Sequence, residues 1–343
     1  MATAGVNWQK DRMIHPQTWL RPLPAGLFCE PGGFFIDPMR AVDRAVITHA
    51  HSDHARAGHN AVLASPETIA LMQARLGRAG RSHQALGWGE PMRLGAVTLW
   101  LQPAGHVLGS AQIVLEYSGQ RVVVSGDYKR AADRSCAPFV PVPCDVFVTE
   151  ATFGLPIFRM PDPAAEIGRL LASLVMFPQR THVVGAYSLG KTQRLITLLR
   201  DAGWDAPIDL HGALVPICTV YQRFGIDLGD IRPLAGTMAG GIVLVPPSGT
   251  NDRWTRALAD PVACLASGWM LVSKRAKQSG AELALAISDH ADWDALLRTI
   301  AEVGAPEVWI THGSEAALIH ELGTRGVKAR ALRLIGYGAE DAH

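Results

Sequence analysis

The stretch that decides the fold is Thr48–Ala55, THAHSDHA, which follows the apolar run Ala45–Ile47. It places four potential metal ligands within six residues: His49, His51, Asp53 and His54. Alternation along an extended chain puts the first three on one side, and a turn after the strand brings His54 alongside them. Imidazole and carboxylate together suit Zn²⁺ or a similar divalent ion. We therefore expect a metal site where a short strand ends.

Two fragments further along the chain add ligands to such a site. PAGHVLGSAQ, residues 103–112, carries His106, and VVVSGDYKR, residues 122–130, carries Asp127. Each residue follows an apolar run that predicts a strand, and functional side chains are common on loops of that kind. Two metal ions a few ångströms apart need a further imidazole and a carboxylate that can bridge them. His106 and Asp127 are therefore candidate ligands as well.

The composition limits the class of protein. The chain has 343 residues, 48% hydrophobic and 18% charged, which is typical of a globular protein of about two domains and excludes disordered and fibrous classes. Its formal net charge of +1 gives no overall preference for nucleic acid, although residues 151–200 carry a local excess of basic side chains. The five cysteines lie far apart, form no CxxC pair and are odd in number, so no disulfide framework is expected. Neither a membrane span nor a signal peptide is recognisable in the sequence. We therefore expect a cytoplasmic protein that does not associate with a membrane.

The pattern of apolar runs and turn residues divides the chain into three parts. The first third alternates short apolar runs with Gly, Pro and Asp, which indicates strands and hairpins, with one helix in SPETIALMQARLG, residues 65–77. From about residue 156 longer helical stretches appear, such as PAAEIGRLLASLVM, residues 163–176. From residue 283 onward an apolar strand, a His-bearing loop and a helix follow one another twice. The pattern predicts an α/β fold with a second subdomain in its middle.

These motifs resemble two nested families. HAHSDH at residues 49–54, with His106 and Asp127 downstream, resembles the metallo-β-lactamase superfamily. Glu150 in VFVTEATFG, His290 in ISDHADW and His312 in ITHGSEAAL resemble, in order, the three further motifs of the β-CASP nucleases. The resemblance implies a four-layer αβ/βα sandwich with metals at one edge and a cap inserted into it. In those terms residues 1–155 and 284–343 form the metallo-β-lactamase domain, and residues 156–283 form the β-CASP cap.

The same resemblance implies a role for each motif residue. One of two divalent metal ions, Zn²⁺ or alternatively Mn²⁺, would be held by His49, His51 and His106. The other would be held by Asp53, His54 and His312, with Asp127 bridging the two. Two such ions activate a water and stabilise the charged oxygens during hydrolysis of a phosphodiester. His290 would protonate the leaving oxygen, Glu150 would hold His290 in place, and Asp53 is also a candidate for orienting the water.

The chain as a whole is similar to the bacterial ligase-associated DNA exonucleases, most visibly at residues 26–59, 142–159, 266–270 and 288–293. This similarity implies a DNA exonuclease in DNA repair that acts on a single strand or a duplex end, in association with a DNA ligase and a helicase. An RNA-processing β-CASP ribonuclease is the alternative. RNA-directed members have His in the third motif, as at His312, where eukaryotic DNA-directed members tend to have Val.

Two other classes share the fold. A small-molecule hydrolase of the glyoxalase or lactamase type lacks the cap and has no need of Glu150 and His290. A catalytically inactive scaffold has typically lost ligands, whereas every ligand position is filled here. Both alternatives are therefore less favoured than a nuclease.

A further motif lies at Gly185–Thr192. GAYSLGKT fits the P-loop pattern and stands between an apolar strand and a helix, which is the setting that a nucleotide site requires. The complete metal set makes nucleotide binding the less favoured interpretation. We instead predict a contact with a nucleic-acid backbone phosphate, because a helix N-terminus and a lysine attract an anion. The predicted contact residues are Ser188, Gly190, Lys191 and Gln193, and a plain helix cap is the remaining alternative.

Overall fold

The computed structural model describes residues 14–235, 239–251, 254–258 and 260–334. The first sheet, within residues 20–85, has six short strands that lie side by side in chain order. They are β1 (Leu20–Leu23), β2 (Gly26–Cys29), β3 (Phe34–Ile36), β4 (Arg44–Val46), β5 (Ala61–Ala64) and β6 (Ser82–Ala85). Pairing is antiparallel from β1 to β3 and parallel from β3 to β6. β4 leads directly into the THAHSDHA motif.

The second sheet begins with β7 (Met92–Leu94), β8 (Val97–Pro103), β9 (Ala111–Tyr117), β10 (Gln120–Val124) and β11 (Val146–Ala151). Strands β8, β9 and β10 form an antiparallel meander, and β11 pairs parallel with β10. Because β8 and β10 are both antiparallel to β9, they run in the same direction as β11 and end at the same edge. The predicted first helix, α1 (Pro66–Leu76), lies between β5 and β6 and is capped by Ser65, whose side chain accepts from the N–H of Thr68.

A third sheet occupies the middle of the chain. Its strands are β12 (His182–Gly185), β13 (Ile208–Leu210), β14 (Ile231–Pro233), β15 (Ile242–Val245), β16 (Val262–Ala266) and β17 (Leu283–Leu285). They are parallel and lie in the spatial order β14-β13-β15-β12-β16-β17. Parallel neighbours need long crossover connections. The helices of this region are α2 (Pro163–Met176), α3 (Lys191–Asp201), α4 (Val215–Arg223) and α5 (Ser273–Gln278).

After this insertion the chain returns to the second sheet. β18 (Glu307–Gly313) pairs parallel with β11, and β19 (Lys328–Ala331) pairs parallel with β18. Two helices flank β18, namely α6 (Trp293–Val303) before it and α7 (Glu315–Thr324) after it. Strand β17 spans the predicted boundary at residue 283, and the predicted limits at residues 1 and 343 lie outside the described residues. The domain limits therefore stay predictions.

Hydrophobic packing stacks these elements in four layers. The first and second sheets face each other across a core that includes Leu27, Phe34, Leu99, Val148 and Trp309. The outer face of the second sheet packs on α6 and α7, and the outer face of the first sheet packs on α1. Each large apolar side chain fully buried in this way contributes roughly 1.5–3 kcal/mol. The order helix, sheet, sheet, helix is the predicted αβ/βα sandwich, and the inserted part packs beside it through α4, which contacts α1.

The cysteines take no part in cross-linking. All five are free, as expected, and four of them are buried while Cys144 is half-buried. In the part of the chain that is described, no helix is both long enough and apolar enough to cross a membrane.

Candidate metal centre

The ligand candidates meet at one edge of the sandwich. His106 follows β8, Asp127 follows β10, and His312 lies near the end of β18. These strands run in the same direction, so their carboxyl ends bring the three side chains together. The loop after β4, which carries His49, faces them from the first sheet. The fold thus gathers residues that are far apart in the sequence.

Four side chains form a tight group suited to one cation: His49, His51, His106 and Asp127, each with a ligand atom within 4.8 Å of the others. Nδ1 of His51 lies 3.1 Å from Nε2 of His49 and 3.0 Å from Nε2 of His106. Oδ2 of Asp127 lies 3.7 and 3.8 Å from the same two Nε2 atoms. His49, His106 and Asp127 are buried, and His51 is half-buried. The group is therefore sheltered from water on most sides.

Asp127 also faces a second group of ligand candidates. Its Oδ2 lies 3.4 Å from Nε2 of His54, and its Oδ1 lies 3.2 Å from Nε2 of His312. Nε2 of His54 is in turn 3.8 Å from Oδ2 of Asp53. Asp127 is thus the carboxylate that reaches both groups, which is the position of a bridging ligand.

The chemistry of these donors fits divalent cations. Nitrogen atoms of three imidazoles converge in the first group, and a cation satisfies such converging lone pairs. Oδ1 of Asp53 is buried and has no hydrogen-bond partner among the described residues, so it is available to a cation. Burial lowers the pKa of His49 and His106 and keeps both rings in the neutral form that binds metal. Burial alone would raise the pKa of Asp127, but neighbouring imidazoles, that of His54 first, outweigh burial and hold the pKa well below its usual range.

A buried His–Glu pair lies beside the ligand candidates. Nδ1 of His290 donates to Oε2 of Glu150 at 2.9 Å, and the backbone N–H of Tyr128 donates to Oε1 of Glu150 at 2.8 Å. Glu150 is 1% exposed and His290 is 8% exposed. Nδ1 of His290 lies 4.0 Å from Oδ2 of Asp127. The bond at Nδ1 fixes the tautomer and orientation of the ring, as a general acid requires.

Residues 38–167 match the metallo-β-lactamase superfamily. This range includes the THAHSDHA motif, His106, Asp127 and Glu150, which supply most of the geometry just described. The chain therefore contains a metallo-β-lactamase domain, of which residues 38–167 are the matched part. The sheet inserted between β11 and β18, together with His290 and His312, gives it the β-CASP arrangement of that superfamily.

Similar proteins carry names of two kinds. A probable DNA ligase of Opitutus terrae is 31% identical over 313 residues, which are 90% of this chain and 30% of that protein. Endoribonuclease YSH1 of Mycosarcoma maydis is 28% identical over 275 residues, which cover 64% of this chain and 30% of that protein. The chain therefore spans less than a third of the length of either relative.

A solved structure shares the fold. It is the crystal structure of a protein of unknown function from Enterococcus faecalis V583. The TM-score is 0.58, the identity is 14%, and the match covers 87% of this chain and 82% of that one. At this identity the likeness shows the fold alone.

The glycine-rich loop Gly185–Thr192 joins β12 to α3 and contacts a ligand candidate, since the Leu189 carbonyl lies 3.0 Å from Nε2 of His51. Lys191, its predicted phosphate contact, is 4% exposed. Nζ of Lys191 pairs with Oδ2 of Asp289 at 2.9 Å and donates to the carbonyl of Ile287 at 3.0 Å. Phosphate binding by Lys191 stays a prediction, and a phosphate would have to replace these contacts.

The other predicted phosphate residues of the loop also have partners within the chain. The side chain of Gln193 accepts from the backbone N–H of Gly190 at 2.8 Å and donates to the carbonyl of Ser188 at 3.0 Å. Gly190 has a φ of +88°, and a Cβ there would lie 2.4 Å from Cγ1 of Val107. Glycine is therefore required here by a close approach of two loops, and phosphate binding by Ser188, Gly190 and Gln193 likewise stays a prediction.

Asp37 is a supporting residue that the sequence analysis missed. Its Oδ2 accepts from Nδ1 of His54 at 2.7 Å, and its Oδ1 accepts from the backbone N–H of Thr48 at 2.8 Å. These bonds turn Nε2 of His54 toward Asp127. The available signal was an acidic residue directly after β3, the strand that pairs with β4.

Proposed function

We propose that this chain is a nuclease that hydrolyses phosphodiester bonds with the help of divalent metal ions. The observation that carries the proposal is the 2.9 Å bond between His290 and Glu150, beside the metal-ligand candidates. In phosphodiester hydrolysis a sugar hydroxyl leaves as a strong base that must be protonated. A positioned imidazole next to the candidate metal ligands answers that need, whereas a small-molecule hydrolase of the lactamase type has no need of this pair.

We infer two metal ions, with Zn²⁺ favoured and Mn²⁺ the alternative. One set of ligands would be His49, His51 and His106, the other Asp53, His54 and His312, with Asp127 shared. Bound there, the ions would lower the pKa of a water toward neutrality and offset the negative charge that develops on the phosphate. Oδ1 of Asp53 is buried and has no hydrogen-bond partner within the described part of the chain, which also suits Asp53 to orient the attacking water.

His290 would give a proton to the leaving oxygen. Because its Nδ1 donates to Glu150, Nε2 is the nitrogen that would transfer the proton. Glu150 is itself fixed by the N–H of Tyr128, so the imidazole keeps one orientation throughout. His290 thus acts as the general acid, and Glu150 positions it.

For the substrate we propose DNA with a free end, degraded exonucleolytically during DNA repair in association with a DNA ligase and a helicase. Support comes from the relative named as a probable DNA ligase, which aligns with 90% of this chain. A cap beside the metal edge also suits a single threaded strand.

RNA is the second candidate substrate. It is favoured by the relative named as an endoribonuclease. It is also favoured by the histidine at position 312, where eukaryotic DNA-directed β-CASP proteins tend to have valine. These two observations make RNA the substrate against which DNA must be compared.

The deciding experiment is digestion of end-labelled single- and double-stranded DNA, and of RNA of the same sequence, with Zn²⁺, Mn²⁺ or Mg²⁺. We expect DNA with a free end to be degraded, single strands at least as fast as duplex, and closed circles to be spared. A His290→Ala preparation purified in parallel controls for contaminating nucleases. Faster cleavage of RNA, or efficient cutting of closed circular DNA, would contradict the DNA exonuclease assignment.

A further inference from the structure

We propose that the glycine-rich loop and the first turn of α3 position the metal ligands His51 and His106, so that the lysine of the P-loop-like motif serves the metal site and not a phosphate. The positioning residues are Leu189, Lys191 and Arg194, acting with Asp289. The proposal deepens the proposed nuclease function, and its rate measurements rest on that function. Its metal-binding measurements do not.

His51 is held directly by this loop. Nε2 of His51 donates to the backbone carbonyl of Leu189 at 3.0 Å. That bond leaves Nδ1 as the nitrogen that faces His49 and His106. The backbone of the loop is in turn braced by Gln193 through Ser188 and Gly190. A ligand of the first group therefore takes its orientation from the cap.

His106 is held through one intermediate residue. Nδ1 of His106 donates to the backbone carbonyl of Asp289 at 2.9 Å, so that Nε2 faces the ligand group. The carboxylate of Asp289 is clamped by two cations, with Oδ2 2.9 Å from Nζ of Lys191 and Oδ1 2.8 Å from Nε of Arg194. The carbonyl that orients His106 is thus fixed by two side chains of α3.

The residues just before His290 are held in the same way. Nζ of Lys191 donates to the carbonyl of Ile287 at 3.0 Å, and Nζ of Lys129 donates to the carbonyl of Ser288 at 2.6 Å. Successive residues of the loop after β17 are therefore each held by a buried basic side chain. The loop delivers both the carbonyl that faces His106 and the imidazole that faces Glu150.

Arg194 ties this cluster to the metallo-β-lactamase part of the chain. Its Nη2 lies 2.6 Å from Oδ2 of Asp133 and 3.4 Å from the carbonyl of His106. Lys191, Arg194 and Asp289 are 4%, 3% and 5% exposed. Charges buried to this degree are stable only while paired, so the ammonium of Lys191 is committed to Asp289. The anion next to the lysine of the P-loop-like motif is therefore the carboxylate of Asp289, and not a phosphate.

The test compares Lys191→Met, Asp289→Asn and the double variant, with Lys328→Met as control. Lys328 pairs with Glu307, its side chain is 74% exposed, and it lies on β19. Partners that orient metal ligands typically contribute 10–100-fold to metal affinity or activity, so we expect Lys191→Met to bind Zn²⁺ and Mn²⁺ about 10–100-fold more weakly in equilibrium dialysis. The control should bind both metals like the unaltered chain.

Two further readouts separate positioning from phosphate binding. If Lys191 positions the metal ligands, Lys191→Met lowers kcat but leaves unchanged both the KM for nucleic acid and the salt dependence of nucleic-acid binding. Lys191→Arg then restores part of the metal affinity. The two single changes are also coupled, so the double variant is little worse than Lys191→Met. Should Lys191→Met fail to fold, the double variant, in which neither partner of the pair is left as an unpaired charge, gives the same comparison of metal affinity.

The opposite pattern would overturn the proposal. A phosphate contact predicts unchanged metal affinity in Lys191→Met, a higher KM, and a salt dependence shallower by about one phosphate contact. It also predicts tighter nucleic-acid binding in Asp289→Asn, because a competing anion is removed. If no nuclease activity is found in the unaltered chain, the metal affinities alone still decide whether Lys191 is a positioning residue.

Discussion

Nδ1 of His290 and Oε2 of Glu150 lie 2.9 Å apart and join the two ends of the inserted cap. Glu150 belongs to β11, the last strand before the insertion, and His290 belongs to the loop after β17, its last strand. Both side chains are buried. The proposed general acid is therefore aligned only when the two ends of the insertion lie side by side at the metal edge.

His290→Ala is expected to retain bound metal and to lose most of its turnover. General acid–base groups typically contribute about 10²–10⁴-fold, and the loss should fall in that range. Metal content per chain and single-turnover rates measure the two effects. His320→Ala, an exposed histidine on α7, is the matched control and should change neither. Loss of a metal ion from His290→Ala would mean that His290 and not His312 is a ligand.

Glu150→Gln is expected to resemble His290→Ala with a smaller loss of rate. The amide keeps the shape of the side chain but weakens the bond that orients the imidazole, and it touches no leaving group. The rate as a function of pH checks this, because a changed environment of His290 moves the profile. A Glu150→Gln variant that loses metal would contradict a purely orienting role.

Asp127→Asn is expected to lose more metal than His312→Ala. Asp127 lies 3.4 Å from His54 and 3.2 Å from His312, and within the first ligand group as well, so it reaches both sets. His312 reaches one set only. Metal analysis of both variants, after equal dialysis, gives the comparison. Equal losses would argue against a bridging carboxylate.

The buried thiols predict a loss of stability at alkaline pH. Burial raises the pKa of Cys29, Cys136 and Cys264 to about 12. The folded chain keeps these protons where the unfolded chain, with thiol pKa values of about 8.5, has released them, so stability falls as pH rises from about 8.5 toward 12. Each thiol accounts for up to about 1.4 kcal/mol per pH unit in that window.

Urea unfolding at a series of alkaline pH values measures this slope. Cys264→Ala should flatten it, because one buried thiol no longer titrates. Val262→Ala, a buried change in the same strand β16, should lower the stability but keep the slope. An unchanged slope in Cys264→Ala would show that the thiols do not set the alkaline limit.

The candidate ligands could be picked out from the sequence because their signals are local. His49, His51 and His54 are crowded into one short motif, and His106 and Asp127 each follow an apolar run that forms a strand. Parallel strand ends meet at one edge of a sheet, so local patterns were enough to place the candidate ligands together. The four-layer order itself came from resemblance to a family and not from these patterns.

The supporting contacts could not be predicted, because they join residues that no local pattern relates. In the sequence, Asp289 is only an acidic residue next to His290. In the structure, its carbonyl accepts from His106 and its carboxylate pairs with Lys191. Lys191 at a helix start after glycine is the pattern of a phosphate site. The same pattern arises when the anion is a carboxylate of the chain, and the sequence does not distinguish the two.

Gly190→Ala tests how tightly the glycine-rich loop must approach the ligands. Gly190 has a φ of +88° and Gly203, just after α3, has a φ of +84°, so alanine at either position carries a left-handed strain of about 1–2 kcal/mol. A Cβ at Gly203 meets nothing within 4 Å, whereas a Cβ at Gly190 lies 2.4 Å from Cγ1 of Val107. The difference between the two variants therefore isolates the close approach from the strain.

We expect Gly203→Ala to lower the free energy of unfolding by about 1–2 kcal/mol, the strain alone, and to bind Zn²⁺ normally. Gly190→Ala should be less stable than that and should also bind Zn²⁺ more weakly, since the displaced loop carries the Leu189 carbonyl that holds His51. Adding Val107→Ala removes the methyl groups that block the new Cβ and should restore part of the Zn²⁺ affinity. Equal Zn²⁺ affinities in Gly190→Ala and Gly203→Ala would show that the approach of the loop to Val107 has no bearing on the metal centre.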